Sequence, residues 1–267
     1  MKRLIDLESY PVQLVLDRLL QDKTTKQNII FATDAYSENG EDFAETSSIT
    51  VEKLLGFKKI RIQPRVEKAA DEQLARTRKK AEVFTPSWLI NKMNNHCDEE
   101  WFGRPNVFNT EDGTGWVTNT APIAFEGKAS WKAYVDSKRL EITCGEAPYV
   151  VSRYDATTGE IIPIEDRIGI LDRKLRVVNE NAADDAEWLK WALRALQSSY
   201  GYEFQGDNLL IARGECAGYD GRALRGSVSS TAGHSAPAEN GQHHLLELLA
   251  NGRADRDDTV QPPKAAG

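Results

Sequence analysis

Residues 140–155, Leu-Glu-Ile-Thr-Cys-Gly-Glu-Ala-Pro-Tyr-Val-Val-Ser-Arg-Tyr-Asp, constrain the fold of this chain more than any other stretch. Leu140 and Ile142 flank Glu141 in a short apolar strand, and Cys144-Gly145-Glu146-Ala147 reads as a tight turn. Pro148 suits the first turn of a helix that follows. Strand, glycine turn and helix in that order hold nucleotide-type ligands. Small residues let the backbone come close, and the helix N-terminus presents free N–H groups. An acid at the strand end, Glu141, suits a cationic group rather than a phosphate. One glycine in such a connection also serves plain turn chemistry, so this stretch alone leaves both readings open.

The 267 residues hold one large or two modest domains. No apolar run approaches a membrane span, and Met1-Lys2-Arg3-Leu4-Ile5-Asp6 is not the start of a signal peptide. Cys97, Cys144 and Cys216 are odd in number and far apart, which fits neither a disulfide framework nor a zinc site. A reducing cytoplasm is the expected setting. A net charge of -7 argues against a generally basic nucleic-acid coat and leaves room only for local patches.

Before the glycine turn, residues 4–20 read as an amphipathic helix and Asn28–Thr33 as a strand. Between 58 and 80 the bases Lys58, Lys59, Arg61, Arg65, Lys68, Arg76, Arg78, Lys79 and Lys80 outnumber the acids. That run is either a phosphate-contact surface or a solvated helix face. Thr85-Pro86 reads as a helix start, with Trp88, Leu89 and Met93 on the buried side. Residues 96–139 form a connecting subdomain in which Trp101, Trp116 and Trp131 act as packing anchors, and adjacent His96 and Cys97 lack metal-ligand spacing.

Phe84-Thr85-Pro86 followed by Glu141–Ala147 resembles adenine-specific DNA methyltransferases of restriction–modification systems, closest to those labelled restriction endonuclease subunit M. In that family the Phe-Thr-Pro motif lines the methionine end of S-adenosylmethionine, upstream of the cofactor loop. The resemblance spans roughly residues 76–213; Ile142 stands where the family often has proline, and Ala147 replaces its second glycine. Further on, Ser152–Glu165 reads as a helix end with a hairpin-like insertion, and Arg167–Asp172 as the second core strand. An acid at that strand end binds ribose hydroxyls in a Rossmann-like arrangement, while Asp172 equally suits a cap for the next helix. Residues 183–200 read as a core helix stopped near Tyr200-Gly201. Gly206-Asp207-Asn208 resembles the family's third motif, whose side chain contacts adenine, and also reads as an ordinary turn.

From Gly214 the composition changes, and the family's Asp/Asn-Pro-Pro-Tyr/Phe motif, which grips the flipped adenine, does not occur. Read one base later with permissible codons, residues 214–220 can give Glu-Asn-Val-Leu-Val-Thr-Met. Residues 246–252 can likewise give Trp-Asn-Phe-Trp-Gln-Met-Asp, and both strings look like the family. An extra base near codon 214 is therefore a hypothesis, and a resequenced gene with no near-identical intact relative in the shifted frame would sink it. Under it, 214–267 is a disordered tail in which His243-His244 carries no meaning for metal.

The expected fold is α/β: an incomplete Rossmann-like class I methyltransferase sheet of three strands, an N-terminal helical region and a disordered C-terminal tail. Four segments follow: an α/β region with the basic stretch (1–75), a lead-in helix and connecting subdomain (76–139), an S-adenosylmethionine-binding half (140–213), and the tail (214–267). The resemblance implies cofactor contacts at Phe84, Thr85, Pro86, Glu141, Thr143, Cys144, Gly145, Asp172 and Asp207, with no catalytic or metal residue. It implies DNA, and a restriction endonuclease or specificity subunit, as partners. The rival readings are a catalytically inactive DNA-binding or subunit-interaction remnant, and a small-molecule methyltransferase. An open half-sheet also predicts low solubility.

Overall fold

The structure, a computed structural model, describes residues 4–8, 12–22, 25–126 and 130–217. Most of the tail expected from 214, with His243-His244, lies outside these residues. The chain is a mixed α/β structure with eight α-helices and two small sheets among the described residues.

The N-terminal region forms α1 (Leu16–Leu20), α2 (Val51–Leu55) and α3 (Ala70–Lys80). The long helix expected over 4–20 is shorter: a 3-10 turn, Val12–Val15, leads into α1. Asn28–Thr33 makes only isolated bridges, Gln21 to Asn28 and Ile30 to Ser48, because Ala32 turns left-handed at φ 53° and ends the extended run. Thr50 caps α2 by accepting the Lys53 N–H at 3.3 Å.

α4 (Ser87–Phe102) begins where Pro86 was expected to start a helix. Its buried face is not the expected one. Trp88 and Met93 are exposed, and Ile90, Asn91, Asn94 and Asp98 point inward. The cause lies across the core, where Arg173 binds Asp98 Oδ2 at 2.7 Å and the side-chain oxygens of Asn91 and Asn95 at 2.8 Å each. A buried guanidinium needs that many acceptors, and it draws the polar stripe of α4 inside.

β1 (Asn109–Asp112) and β2 (Gly115–Thr118) form an antiparallel hairpin in the connecting region, and α5 (Trp131–Asp136) follows. The tryptophans here do pack. Trp101 meets Phe102 and Tyr134, Trp131 meets Trp191, and the Trp116 indole donates to the Asp166 carbonyl at 2.9 Å.

β3 (Arg139–Ile142) is the expected strand before the glycine turn. No helix starts at Pro148. Thr143, Gly145 and Ala147 all have left-handed φ, so the chain makes consecutive turns instead. The carbonyls of Tyr149 and Val150 then accept the Ile170 and Leu171 N–H groups at 2.8 and 2.9 Å, at the start of the next helix. The insertion forms as expected, with an antiparallel bridge from Tyr154 to Ile161.

Arg167–Asp172 is not a strand. α6 (Ile170–Asn181) begins inside it, with Gly169 as its N-cap and Asp172 at the third helical position. Asp172 Oδ2 accepts the Gly169 N–H at 3.0 Å, and this capping contact overrides the apolar run Ile168–Leu171. α7 (Asp185–Gln197) realises the helix expected over 183–200, capped by Asp184, whose carboxylate accepts the Glu187 N–H at 2.8 Å. Tyr200-Gly201 is not its stop but the middle of β4 (Ser199–Tyr202). β4 runs parallel to β3, pairing Leu140 with Tyr200 and Ile142 with Tyr202. The three-stranded half-sheet expected from the sequence is thus a parallel pair joined through α6 and α7.

α8 (Gly206–Ala217) starts at Gly206-Asp207-Asn208 and runs four residues past Arg213. It joins two cores. Leu210 and Ile211 pack with Leu16, Phe31 and Ile49, while Ala212 belongs to the cluster of Val135, Val150, Leu171 and Ala192. No helix among the described residues is long and apolar enough to cross a membrane.

Candidate functional site

The turn after β3 carries the densest set of unusual groups. At Gly145 (φ 54°) an added Cβ would lie 3.0 Å from the Phe84 ring, so the aromatic of Phe84-Thr85-Pro86 presses directly on the turn. Glycine is needed there for both the backbone angle and the approach. Two motifs separated by some sixty residues of chain thus meet.

Glu141, four residues before Gly145 on β3, is near enough to Cys144 and Glu203 for their charges to interact. One of its carboxyl oxygens, Oε2, is buried with no partner among the described residues. Burial pushes its pKa up to about 8; the Tyr149 backbone N–H offsets part of the rise, and the negative charge of Glu203 adds to it. Cys144 is buried, and burial together with Glu141 and Glu203 pushes its thiol far up, so it is no thiolate nucleophile.

Glu203 was not anticipated. It follows β4 directly, and its Oε2 accepts the Gly145 N–H at 2.8 Å while Oε1 accepts the Gln205 N–H at 2.9 Å. Two acids, Glu141 on β3 and Glu203 just past β4, therefore stand near the carboxyl end of a parallel pair, where ligands of open α/β sheets bind. A signal was present: Tyr200-Gly201-Tyr202-Glu203 is an aromatic stretch ending in an acid. Taking Gly201 as a helix stop concealed it.

Met93 and Tyr149 flank the site, the Tyr149 hydroxyl donating to the Met93 sulfur at 3.0 Å. Thr143 is exposed, with its hydroxyl spent on the Ile142 carbonyl at 2.6 Å. Thr85 and Pro86 are half-buried, and the Pro86 carbonyl accepts the Leu89 N–H at 3.0 Å.

Asp155 fastens this motif to the insertion. Its Oδ2 accepts the Ser87 N–H at 2.6 Å, while Oδ1 accepts the Thr157 and Thr158 N–H groups at 2.8 and 3.0 Å. Burial alone would raise its pKa, but the Thr157 and Ser87 hydrogen bonds hold it down to about 2. Because the folded value lies below the ordinary 3.8, its stabilisation is present above that pH and is lost as pH falls toward 2. Asp155→Ala should therefore cost about 1–3 kcal/mol in urea unfolding at pH 7. The gap from wild type should narrow below pH 3; a gap that stays constant from pH 7 to pH 2 would reject this role.

Asp172 and Asp207 do not join the cluster. Asp172 Oδ2 takes the Ser152 N–H and hydroxyl at 2.8 and 2.9 Å besides its cap contact. Asp207, fully buried at the start of α8, accepts the Tyr36 hydroxyl at 3.0 Å and pairs with Arg76 at 2.9 Å and Lys68 at 3.4 Å. Both its oxygens are engaged within the fold.

Most of the basic stretch turns to acids of the same chain. Lys59 pairs with Glu8, Arg61 with Glu67, Arg65 and Arg76 with Glu82, Lys79 with Asp34, and Lys80 with Glu45. Arg65 is a hub under the site. Its N–H donates to Glu146 Oε1 at 2.5 Å, and its guanidinium lies 5.7 Å from the Phe84 ring centroid. Burial raises Glu146, though its bonds to Tyr154 and Arg65 oppose the rise. Paired cations have little charge left for a phosphate backbone.

Comparison with protein-family models, with curated proteins and with solved structures returns no match to this chain.

Proposed function

We propose that this chain is the cofactor-binding part of an S-adenosylmethionine-dependent, adenine-specific DNA methyltransferase of a restriction–modification system, without the part that holds the target base. The observation that carries the proposal is the contact of Phe84 with Gly145, at the end of the strand whose Glu141 has an unpartnered carboxyl oxygen. The donor set fits the cofactor. A cation is the natural partner for a desolvated carboxyl that has none, and an aromatic and a thioether at the rim suit a sulfonium.

When bound, S-adenosylmethionine supplies a methyl group already activated by its sulfonium. The protein's residues then need only to hold and orient it. Glu141 takes the cationic end, Phe84 and Gly145 form the wall, and Tyr149 and Met93 cover the flank. Glu203 takes the ribose hydroxyls in the role first given to Asp172, through the carboxylate lone pairs that its Gly145 and Gln205 contacts leave over. Asp207, held in its ion pairs, is left out.

A frame change near codon 214 remains part of this reading. Just past that boundary, Glu215 is almost fully buried on α8, with Arg153 bound to Oε1 at 2.8 Å and Oε2 unpartnered. Burial pushes its pKa up to about 7.

Calorimetric titration of the full chain with S-adenosylmethionine tests the proposal. Saturable binding, weakened at least tenfold in Glu141→Ala, is expected. A cooperatively folded chain that takes up no cofactor would reject it.

A further inference from the structure

A parallel sheet is ordinarily covered on both faces. Among the described residues, only one face of the β3–β4 pair is covered. On the inner side Arg139 pairs with Asp98 of α4 at 3.1 Å, and Cys144 would touch a Cβ at Gly201 at 2.9 Å. On the outer side Leu140 is 51% exposed, Ile142 70% and Tyr202 66%, and Phe204, two residues on, is 77% exposed. Ile142 and Tyr202 are register partners, so they stand side by side on one face.

We infer that this face is a self-association surface, covered in solution by the same face of a second copy of the chain. Two arguments choose that occupant. These four side chains expose roughly 500 Å² of largely apolar surface, about the upper end of what a monomer carries in one patch. Face to face, two copies bury roughly 1,000 Å², near the lower limit of a specific interface, which fits a weak twofold dimer. The four residues also carry no charge, so the centre of the face sets no like charges against each other despite the net charge of -7. The inference stands independently of the cofactor reading.

Sedimentation equilibrium on the full chain, from about 1 to about 200 μM, tests it, with a dissociation constant expected in the range of tens of micromolar. Ile142→Lys combined with Tyr202→Lys should weaken the dimer at least tenfold, as should Leu140→Glu alone. Phe57→Lys, at a residue 99% exposed elsewhere, should leave it unchanged. Every position is solvent-facing, so far-UV circular dichroism should be unaltered in all the variants. A wild-type chain that stays monomeric throughout, or face variants that dimerise as tightly as wild type, would overturn the inference.

Discussion

Arg76→Leu should destabilise the chain by about 3–5 kcal/mol, the cost of stripping one partner from a buried ion network. Arg76 is almost fully buried on α3, with Nε 2.7 Å from Glu82 Oε2 and Nη1 2.9 Å from Asp207 Oδ2. Lys68 and Tyr36 complete the shell of Asp207, and the Asn208 amide reaches Glu82 Oε2 at 3.1 Å. The two acids are balanced by Arg76 and Lys68, with Arg65 at the edge, so losing Arg76 strands a negative charge in the interior. Burial by itself would lower the Arg76 pKa and raise that of Asp207. Their mutual attraction, with Glu82 and Lys68, shifts each the other way and keeps both charged. Arg76→Lys retains the charge but not the two-pronged geometry, and about half the loss is expected. The damage should reach the site, because Glu82 stands two residues before Phe84. Urea unfolding followed by circular dichroism measures the effect; a change within about 0.5 kcal/mol, typical of a surface position, would show that the network is not formed.

Such a network also marks where the sequence could not be read. The two motifs themselves were legible, and Phe84 meets the glycine turn because a left-handed angle at Gly145 and its missing Cβ admit the ring. α7 was legible from its own period. α4 was not, since Asn91, Asn94 and Asp98 take the solvent side by default, and only Arg173, some eighty residues on, reverses them. The segment 167–172 misled for a local reason, its apolar residues fitting a strand until the Gly169–Asp172 capping pair is weighed. Asp207 was misassigned because a polar residue at a helix start looks available for a ligand. Its neutralising partners, Lys68 and Arg76, come from a stretch whose charge was read as facing outward. Glu203 was overlooked because β4 owes its existence to pairing with β3 rather than to any strong period of its own.

Glu141→Gln should separate stability from binding. The folded-state pKa near 8 lies above the ordinary 4.5, so between those values the folded chain holds the extra proton and stability falls as pH rises. The shift is large enough for an effect of about 2 kcal/mol or more at pH 8, since each unit is 1.36 kcal/mol. The glutamine variant carries no such penalty. It should melt above wild type at pH 8, and the two should converge near pH 4.5. Glu215, raised to about 7, contributes a slope of the same sign, and Lys174, lowered to about 7 chiefly by burial, one of opposite sign above neutrality. Both are present in the variant too, so the difference between the two chains isolates Glu141. Cofactor affinity should move the other way, because a neutral amide offers a sulfonium or ammonium group far less than a carboxylate does. A cation that binds Glu141 must first displace its proton. Titrations at pH 7 in buffers of different ionisation enthalpy should therefore show close to one proton released per cofactor bound in wild type, and none in the variant. A variant that binds as tightly as wild type, with the same proton count, would leave Glu141 a merely buried acid and remove the electrostatic basis of the cofactor assignment.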